Sequence, residues 1–371
     1  MTTPLDQLTP VLREPQCLTT LGLAEWDLLI RQARRADLLP RLCILLAEQG
    51  ALDAVPERPR NHLLAARVVA DKHAQQVRWE ISRIRRALAP TGLPLLLLKG
   101  AAYLAAGLPP ARGRLFTDID LLVPKEGLQA VERILLFHGW VTTHLDAYDQ
   151  RYYRQWMHEL PPLRHMHRHS ILDVHHTILP ETARLHPDPD KLRAAARPVP
   201  GMDGVQVLAP TDMVLHSATH LFHDGELNHG LRDLVDLDDL LRHFGADERF
   251  WRHLVRRAEE LQLTRPLYYA LRYTRSILGT PVPDAVMAAA DAGRPPTPAN
   301  AVMGALLRRA LAPEHSTCDD RLTGVARWLL YVRSHYLRMP LCLLVPHLVR
   351  KSLKRREALA ARPARLVITE K

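Results

Sequence analysis

The stretch 95–123, LLLLKGAAYLAAGLPPARGRLFTDIDLLV, constrains the fold more than any other part of the chain. It opens on an apolar run, 95–98, that halts at Lys99-Gly100. A short run that is apolar on both faces is the pattern of a buried central strand. A short helix is expected to start at Lys99-Gly100, and Pro109 and Pro110 end it. A second apolar run, 115–123, carries Asp118 and Asp120 and stops at Pro124. Strand side chains alternate faces, so both carboxylates project from one side of one strand. Two acids fixed on a stiff element suit a divalent cation, while a lysine and the free amides after a glycine suit phosphate oxygens.

The flanking sequence reads as support for that segment. Residues 126–138 have helical spacing, with Leu128, Val131 and Leu135 inward and Gly139 as C-cap. A strand begins at Trp140, and the His-, Arg- and Tyr-rich 144–169 predict irregular structure or an edge hairpin. The run 170–176, SILDVHH, is a third strand and carries Asp173 and His175. Residues 1–88 read as helical and 183–204 as a proline-bearing polar linker. Residues 205–371 are helical again, with Thr211 as an N-cap. The expected class is α+β, a mixed-sheet core at 89–182 between helical N-terminal and C-terminal regions.

Composition excludes several classes. With 47% hydrophobic residues in 371, wholesale disorder is excluded. Cys17, Cys43, Cys318 and Cys342 form no CxxC pair, against a zinc knuckle or disulfide framework and in keeping with a reducing cytoplasm. Neither a signal-peptide pattern nor a run of ~20 apolar residues is present, so the expected location is cytoplasmic. The net charge of +10 permits nucleotide, nucleic acid or anionic lipid as partner, nucleic acid being the less favoured. Peripheral membrane contact would fall to the basic segment around Arg350, Lys351 and Lys354. Pro340 and Pro346 interrupt that segment, and a packed helix with a solvated basic tail is the plainer reading.

Taken together, LLLLKG at 95–100, Arg114 ahead of DIDLLV at 118–123, LDVHH at 172–176, LHSATHLFHD at 215–224 and RDLVDLDDLL at 232–241 carry a resemblance. Over about 89–245 the chain resembles the nucleotidyltransferase superfamily of DNA polymerase beta, poly(A) polymerases and aminoglycoside nucleotidyltransferases. Within it, the chain is most similar to a bacterial branch of uncharacterised nucleotidyltransferases, in which Lys-Gly replaces the usual Gly-Ser. The resemblance implies transfer of a nucleoside monophosphate from a nucleoside triphosphate to a hydroxyl-bearing acceptor, a small molecule or a protein. Two Mg²⁺ ions, or Mn²⁺, about 3.5–4 Å apart serve such chemistry. Asp118 and Asp120 would bridge both ions and Asp173 would hold the one on the nucleophile side. Lys99, the Gly100 amide and Arg114 would bind phosphates. His175 shares the strand face of Asp173 and, with His220, is expected to touch substrate.

Other readings compete. His216, His220 and His223 fall on one helical face beside Asp224, and with Asp233 or Asp236 they suggest an HD-like metal phosphohydrolase. The spacing is narrower than that family uses, so His216 and His220 are better read as structural or substrate-facing, with His220 across the cleft from Asp173. The cluster His165, His167, His169, His175 and His176 could bind a transition metal, but apart from His175 these are expected at the surface. Asp233, Asp236, Asp238 and Asp239 with Arg232 read as an exposed face of ordinary ion pairs. A non-catalytic binding protein that kept the fold is the third reading.

Overall fold

A computed structural model describes residues 5–15, 18, 21–143, 146–224, 227, 229–342 and 344. Seven strands form one sheet: β1 (Leu95–Leu98), β2 (Ile119–Leu122), β3 (Trp140–Thr142), β4 (Leu163–His165), β5 (Ile171–His175), β6 (Arg197–Pro198) and β7 (Val205–Val207). Their order is β3-β4-β5-β2-β1-β7-β6. β2 runs antiparallel to β1 and parallel to β5, and β1 runs parallel to β7, so the sheet is mixed. Every residue of β1 and β2 is buried, as their unbroken apolar runs require of central strands.

Four helices precede the sheet: α1 (Leu8–Arg13), α2 (Leu23–Arg35), α3 (Leu39–Glu48) and α4 (Glu57–Leu88). α4 buries Leu63, Ala70, Val77, Ile81, Ile84 and Leu88, one stripe at helical spacing, and leaves Leu64, Val68, Val69 and Trp79 exposed among its polar residues. Within the sheet region lie α5 (Lys99–Ala105), α6 (Leu128–Phe137), α7 (Ala147–Trp156) and α8 (Pro189–Ala194). The chain then runs through α9 (Pro210–Thr219), α10 (Gly230–Phe244), α11 (Glu248–Glu260), α12 (Thr264–Tyr273), α13 (Asp284–Ala290), α14 (Thr297–Ala310) and α15 (Thr323–Arg338). One apolar core connects the N-terminal helices, the sheet and the C-terminal helices, from Leu8 to Leu330. No helix among the described residues is long and apolar enough to cross a membrane.

The α+β architecture is the expected one, with local differences. The stretch 144–169 contains a helix, α7, and an internal strand, β4, where irregular structure or an edge hairpin was expected. Its Tyr and Arg side chains hide a helical pattern that bulk apolar residues would have shown. The stretch 183–204, expected as a linker, holds α8 and the edge strand β6, and beyond it Val205 and Val207 bury themselves beside β1 and add a parallel strand to the sheet. The helix begun at Pro210 passes into a π-helical turn at His220–Asp224. The basic residues Arg350, Lys351 and Lys354 lie outside the described residues.

Candidate active site

The site is assembled at the end of β1 and the start of β2 and β5. Asp120 pairs across strands with Leu98 on one side and with Asp173 on the other. Asp118 lies one residue ahead of β2 and lines the same cleft as Asp120. In-register parallel pairing puts Asp120 and Asp173 on one sheet face, where like charges directly opposite repel. Lys99, the residue after β1, adopts a left-handed backbone (φ +46°), a conformation that costs a non-glycine residue roughly 1–2 kcal/mol.

One oxygen of Asp120 receives two donors, Lys99 Nζ at 2.9 Å and His175 Nε2 at 3.0 Å. Burial alone would push the Asp120 carboxyl up, but Lys99 and His175 outweigh it and hold it far below the usual carboxylate range. Burial opposes the charge on Lys99 too, and Asp120 and Asp118 more than restore it. His175 reaches Glu159 through its other nitrogen, Nδ1 to Oε2 at 3.3 Å. Against burial, Glu159 and Asp120 raise the His175 pKa. Asp173 has no comparable partner. Its Oδ1 is buried with no hydrogen-bond partner among the described residues. Burial first, then Asp120 and Glu159, push its carboxyl well above the usual range. Burial and the neighbouring Asp120 also raise Asp118.

Glu159 is a site residue that the sequence did not reveal. It follows α7 and forms an isolated antiparallel bridge with His175. Nothing in its neighbourhood is a motif, so only the fold brings it in. His158, Glu159 and His175 each offer a ligand atom within 4.8 Å of the others, so they could hold a metal ion. To ligate, His175 would have to give up its contact with Asp120 or Glu159, because an imidazole donating from both nitrogens has no lone pair left.

The far wall carries paired charges, Arg114 with Asp236 and Arg232 with Asp233, and comes from the loop before β2 and from α9 and α10. Gly113, at φ +67°, lets this loop pass against α3; a Cβ there would sit 2.8 Å from the Arg41 backbone nitrogen. Arg114 follows and pairs with Asp236. Gly100 leaves room for that side chain, since its Cβ would lie 2.9 Å from Arg114 Nε and 3.3 Å from the Phe116 ring. Lys99, Gly100, Arg114, Asp118, Asp120 and His220 thus line one cleft. Its free volume is only about 80 Å³, with Lys99 and Arg114 folded onto Asp120 and Asp236.

Several expectations about side chains need correcting. Asp233 and Asp236 are buried, and their partners are Arg232 and Arg114. Asp239 pairs with Arg41 at 2.6 Å and Asp238 with Arg242 at 2.7 Å, so this helix face packs inward rather than facing solvent. His216 and His220 turn toward Lys99, and burial followed by that ammonium lowers both of their pKa values. His223 does not share their surroundings. The π turn adds a residue to the helical repeat, and His223 is buried near Arg333 and Arg338 instead. Asp233 and Asp236 are bound to arginines and His223 lies apart, so these residues do not form the HD-type metal site; the Asp224 side chain is outside the described residues. His165 and His176 are buried rather than on the surface, His165 edge-on to Trp140 at 4.9 Å.

A family model described as an uncharacterised nucleotidyltransferase matches residues 23–279. The chain belongs to that family. The match runs from α2 to the residue after the turn at Thr274–Leu278, so this nucleotidyltransferase family includes the N-terminal helices α2 to α4 as well as the sheet. No curated protein and no solved structure matches the chain.

Proposed function

We propose that this protein transfers a nucleoside monophosphate from a nucleoside triphosphate to a hydroxyl-bearing acceptor, using Mg²⁺ or Mn²⁺ held by Asp118, Asp120 and Asp173. The observation that carries the reading is the pairing of Asp120 with Asp173 in register, with Asp118 lining the same cleft and Lys99 beside them. An oxygen-only donor set suits Mg²⁺, and the buried Asp173 Oδ1 without a partner and the raised Asp118 and Asp173 carboxyls are the marks of a site short of positive charge. Bound there, such ions supply Lewis-acid activation of the acceptor hydroxyl and neutralisation of the departing pyrophosphate.

The chain's own residues do the rest. In the free protein Lys99 and His175 keep Asp120 ionised. Glu159 fixes the His175 ring, so the Asp120 carboxylate is held in one orientation. Lys99, Arg114 and Arg232 are cations that line the cleft, and a triphosphate entering it competes with Asp120, Asp236 and Asp233 for them. His220, neutral beside Lys99, can accept a hydrogen bond from a substrate hydroxyl or donate one to a phosphate oxygen. The direct test is pyrophosphate release and label transfer from the four nucleoside triphosphates with Mg²⁺, in wild type, Asp118→Asn and Asp120→Asn. Both variants should lose turnover at least a hundredfold with their circular dichroism unchanged. Turnover that survives in both would overturn the reading, and loss in His223→Ala but not in the aspartate variants would return the site to α9 and α10.

A further inference from the structure

A second cavity, of about 280 Å³, opens beside the first and shares Asp118, Phe116 and Thr117 with it. Its opposite wall is α4, the helix in which the sequence shows no chemistry, through His73, Gln76 and Trp79. The chemistry of this cavity differs from that of the first cleft, which among the described residues holds three cations and four aspartates. Among the described residues it has one guanidinium, Arg168, and that is bound in two-point fashion to the buried Glu80 at 2.6 and 3.1 Å. That pairing leaves no unpaired guanidinium among the described residues that line the cavity itself. Two polar atoms are buried without a hydrogen-bond partner, His73 Nδ1 and Ser170 Oγ. Trp79 is 46% exposed, and the Arg83 and Arg168 guanidinium groups lie over its ring at 4.7 and 5.4 Å. A planar group already rests on that indole face, and Arg83 has no carboxylate partner among the described residues to hold it there.

We infer that this cavity receives the nucleobase of the triphosphate, with Trp79 as the stacking platform and Gln76, His73 and Ser170 as candidates to read its edge. The inference rests on the nucleotidyltransferase reading above. A neutral, planar, hydrogen-bonding ring matches a cavity whose guanidinium is already paired, whose wall carries Asp118 and whose indole is exposed, as a phosphate does not. Asp118 stands on the wall common to both cavities, so a ligand with phosphates beside Lys99 and Arg114 and its ring against α4 passes the carboxylates in between. It also gives α4 a reason to be held by the Glu80–Arg168 pair, which locks the helix to the loop between β4 and β5.

The experiment is isothermal titration of the full chain with Mg²⁺ and ATP, GTP, CTP, UTP or inorganic tripolyphosphate. Wild type should bind at least one nucleoside triphosphate more tightly than tripolyphosphate. Trp79→Ala should weaken that nucleotide about tenfold or more, as the loss of one base–aromatic stack does, and leave tripolyphosphate within about twofold. Trp79→Phe should stay near wild type. Should Trp79→Ala fail to fold, Gln76→Ala, an exposed position on the same wall, must still weaken nucleotide more than tripolyphosphate. Equal effects on both ligands, no effect on either, or a wild type that binds both equally would each overturn the base subsite while leaving the transfer reading intact. A wild type that binds neither ligand overturns both.

Discussion

Asp173 faces Asp120 directly across the parallel β2–β5 pair, and only Asp120 has cations in contact with it. Burial first, and then Asp120 and Glu159, oppose the charged form of Asp173, which the proposed cation would favour. Asp173→Asn removes the ionisable group and keeps the shape. Without Mg²⁺ the variant should be more stable than wild type by on the order of 1 kcal/mol, read as a higher melting temperature. The rise in melting temperature that Mg²⁺ gives wild type should shrink or vanish in the variant. A variant less stable than wild type without Mg²⁺ would show that Asp173 is held by partners rather than strained.

Lys99 combines the side chain proposed to bind phosphate with an unfavourable backbone, and two substitutions separate them. Lys99→Gly removes the ammonium but is at ease at φ +46°. Lys99→Ala removes the ammonium and keeps the strain, so it should be less stable than Lys99→Gly by roughly 1 kcal/mol in urea unfolding. Both should weaken tripolyphosphate binding by a similar factor, at least tenfold. Full retention of binding in both would take Lys99 out of the phosphate site and leave it as the counter-ion of Asp120.

The sequence made the centre of this site legible and its frame much less so. Short apolar runs that end at Lys99 and begin at Asp118 announce strands by hydrophobicity alone, and alternation then places Asp118 and Asp120 together. Asp173 was recoverable for the same reason. Glu159 was not, because its place depends on a single backbone bridge to His175 after a helix whose apolar signal is masked by arginine and tyrosine. The acids of α10 looked like surface residues because charge normally means solvent. Their burial depends on Arg41, Arg114 and Arg232 arriving from distant segments, which no local pattern records. The histidines of 216–223 were read on ideal helical geometry, and one π turn separated His223 from the other two.

Arg114 and Asp236 are both largely buried and pair with each other, so their energies should be strongly coupled. Removing one member of a buried pair leaves an unpaired charge and costs about 3–5 kcal/mol. Asp236→Ala and Arg114→Ala should each destabilise on that scale. The double variant should be more stable than the sum of the two losses predicts, by about 1–3 kcal/mol. A strictly additive double variant in urea unfolding would show that the two side chains are held independently. Nucleotide affinity should fall in Arg114→Ala and hold better in Asp236→Asn, which keeps the guanidinium.

The acid limit of stability should be set in part by His223. The side chain is 4% exposed, and neither ring nitrogen has a hydrogen-bond partner among the described residues. Burial first, and then Arg333 and Arg338, lower its pKa to about 4. Unfolding returns the ring to an ordinary histidine pKa near 6.5. The folded state therefore binds this proton less readily than the unfolded state. The associated stability is fully present above about pH 6.5, falls away as the pH drops toward 4, and is gone below that. Its size is on the order of 3 kcal/mol, from about 1.4 kcal/mol for each unit of pKa difference. His223→Gln cannot titrate, so its unfolding free energy should decline less than that of wild type between pH 7 and pH 4.5. Arg333→Met should work in the same direction more weakly, because it removes a neighbouring charge and leaves the burial. Parallel stability curves for wild type and His223→Gln across that window would mean that His223 is solvated or hydrogen-bonded in the folded protein, and the assignment of the acid limit to this ring would fall.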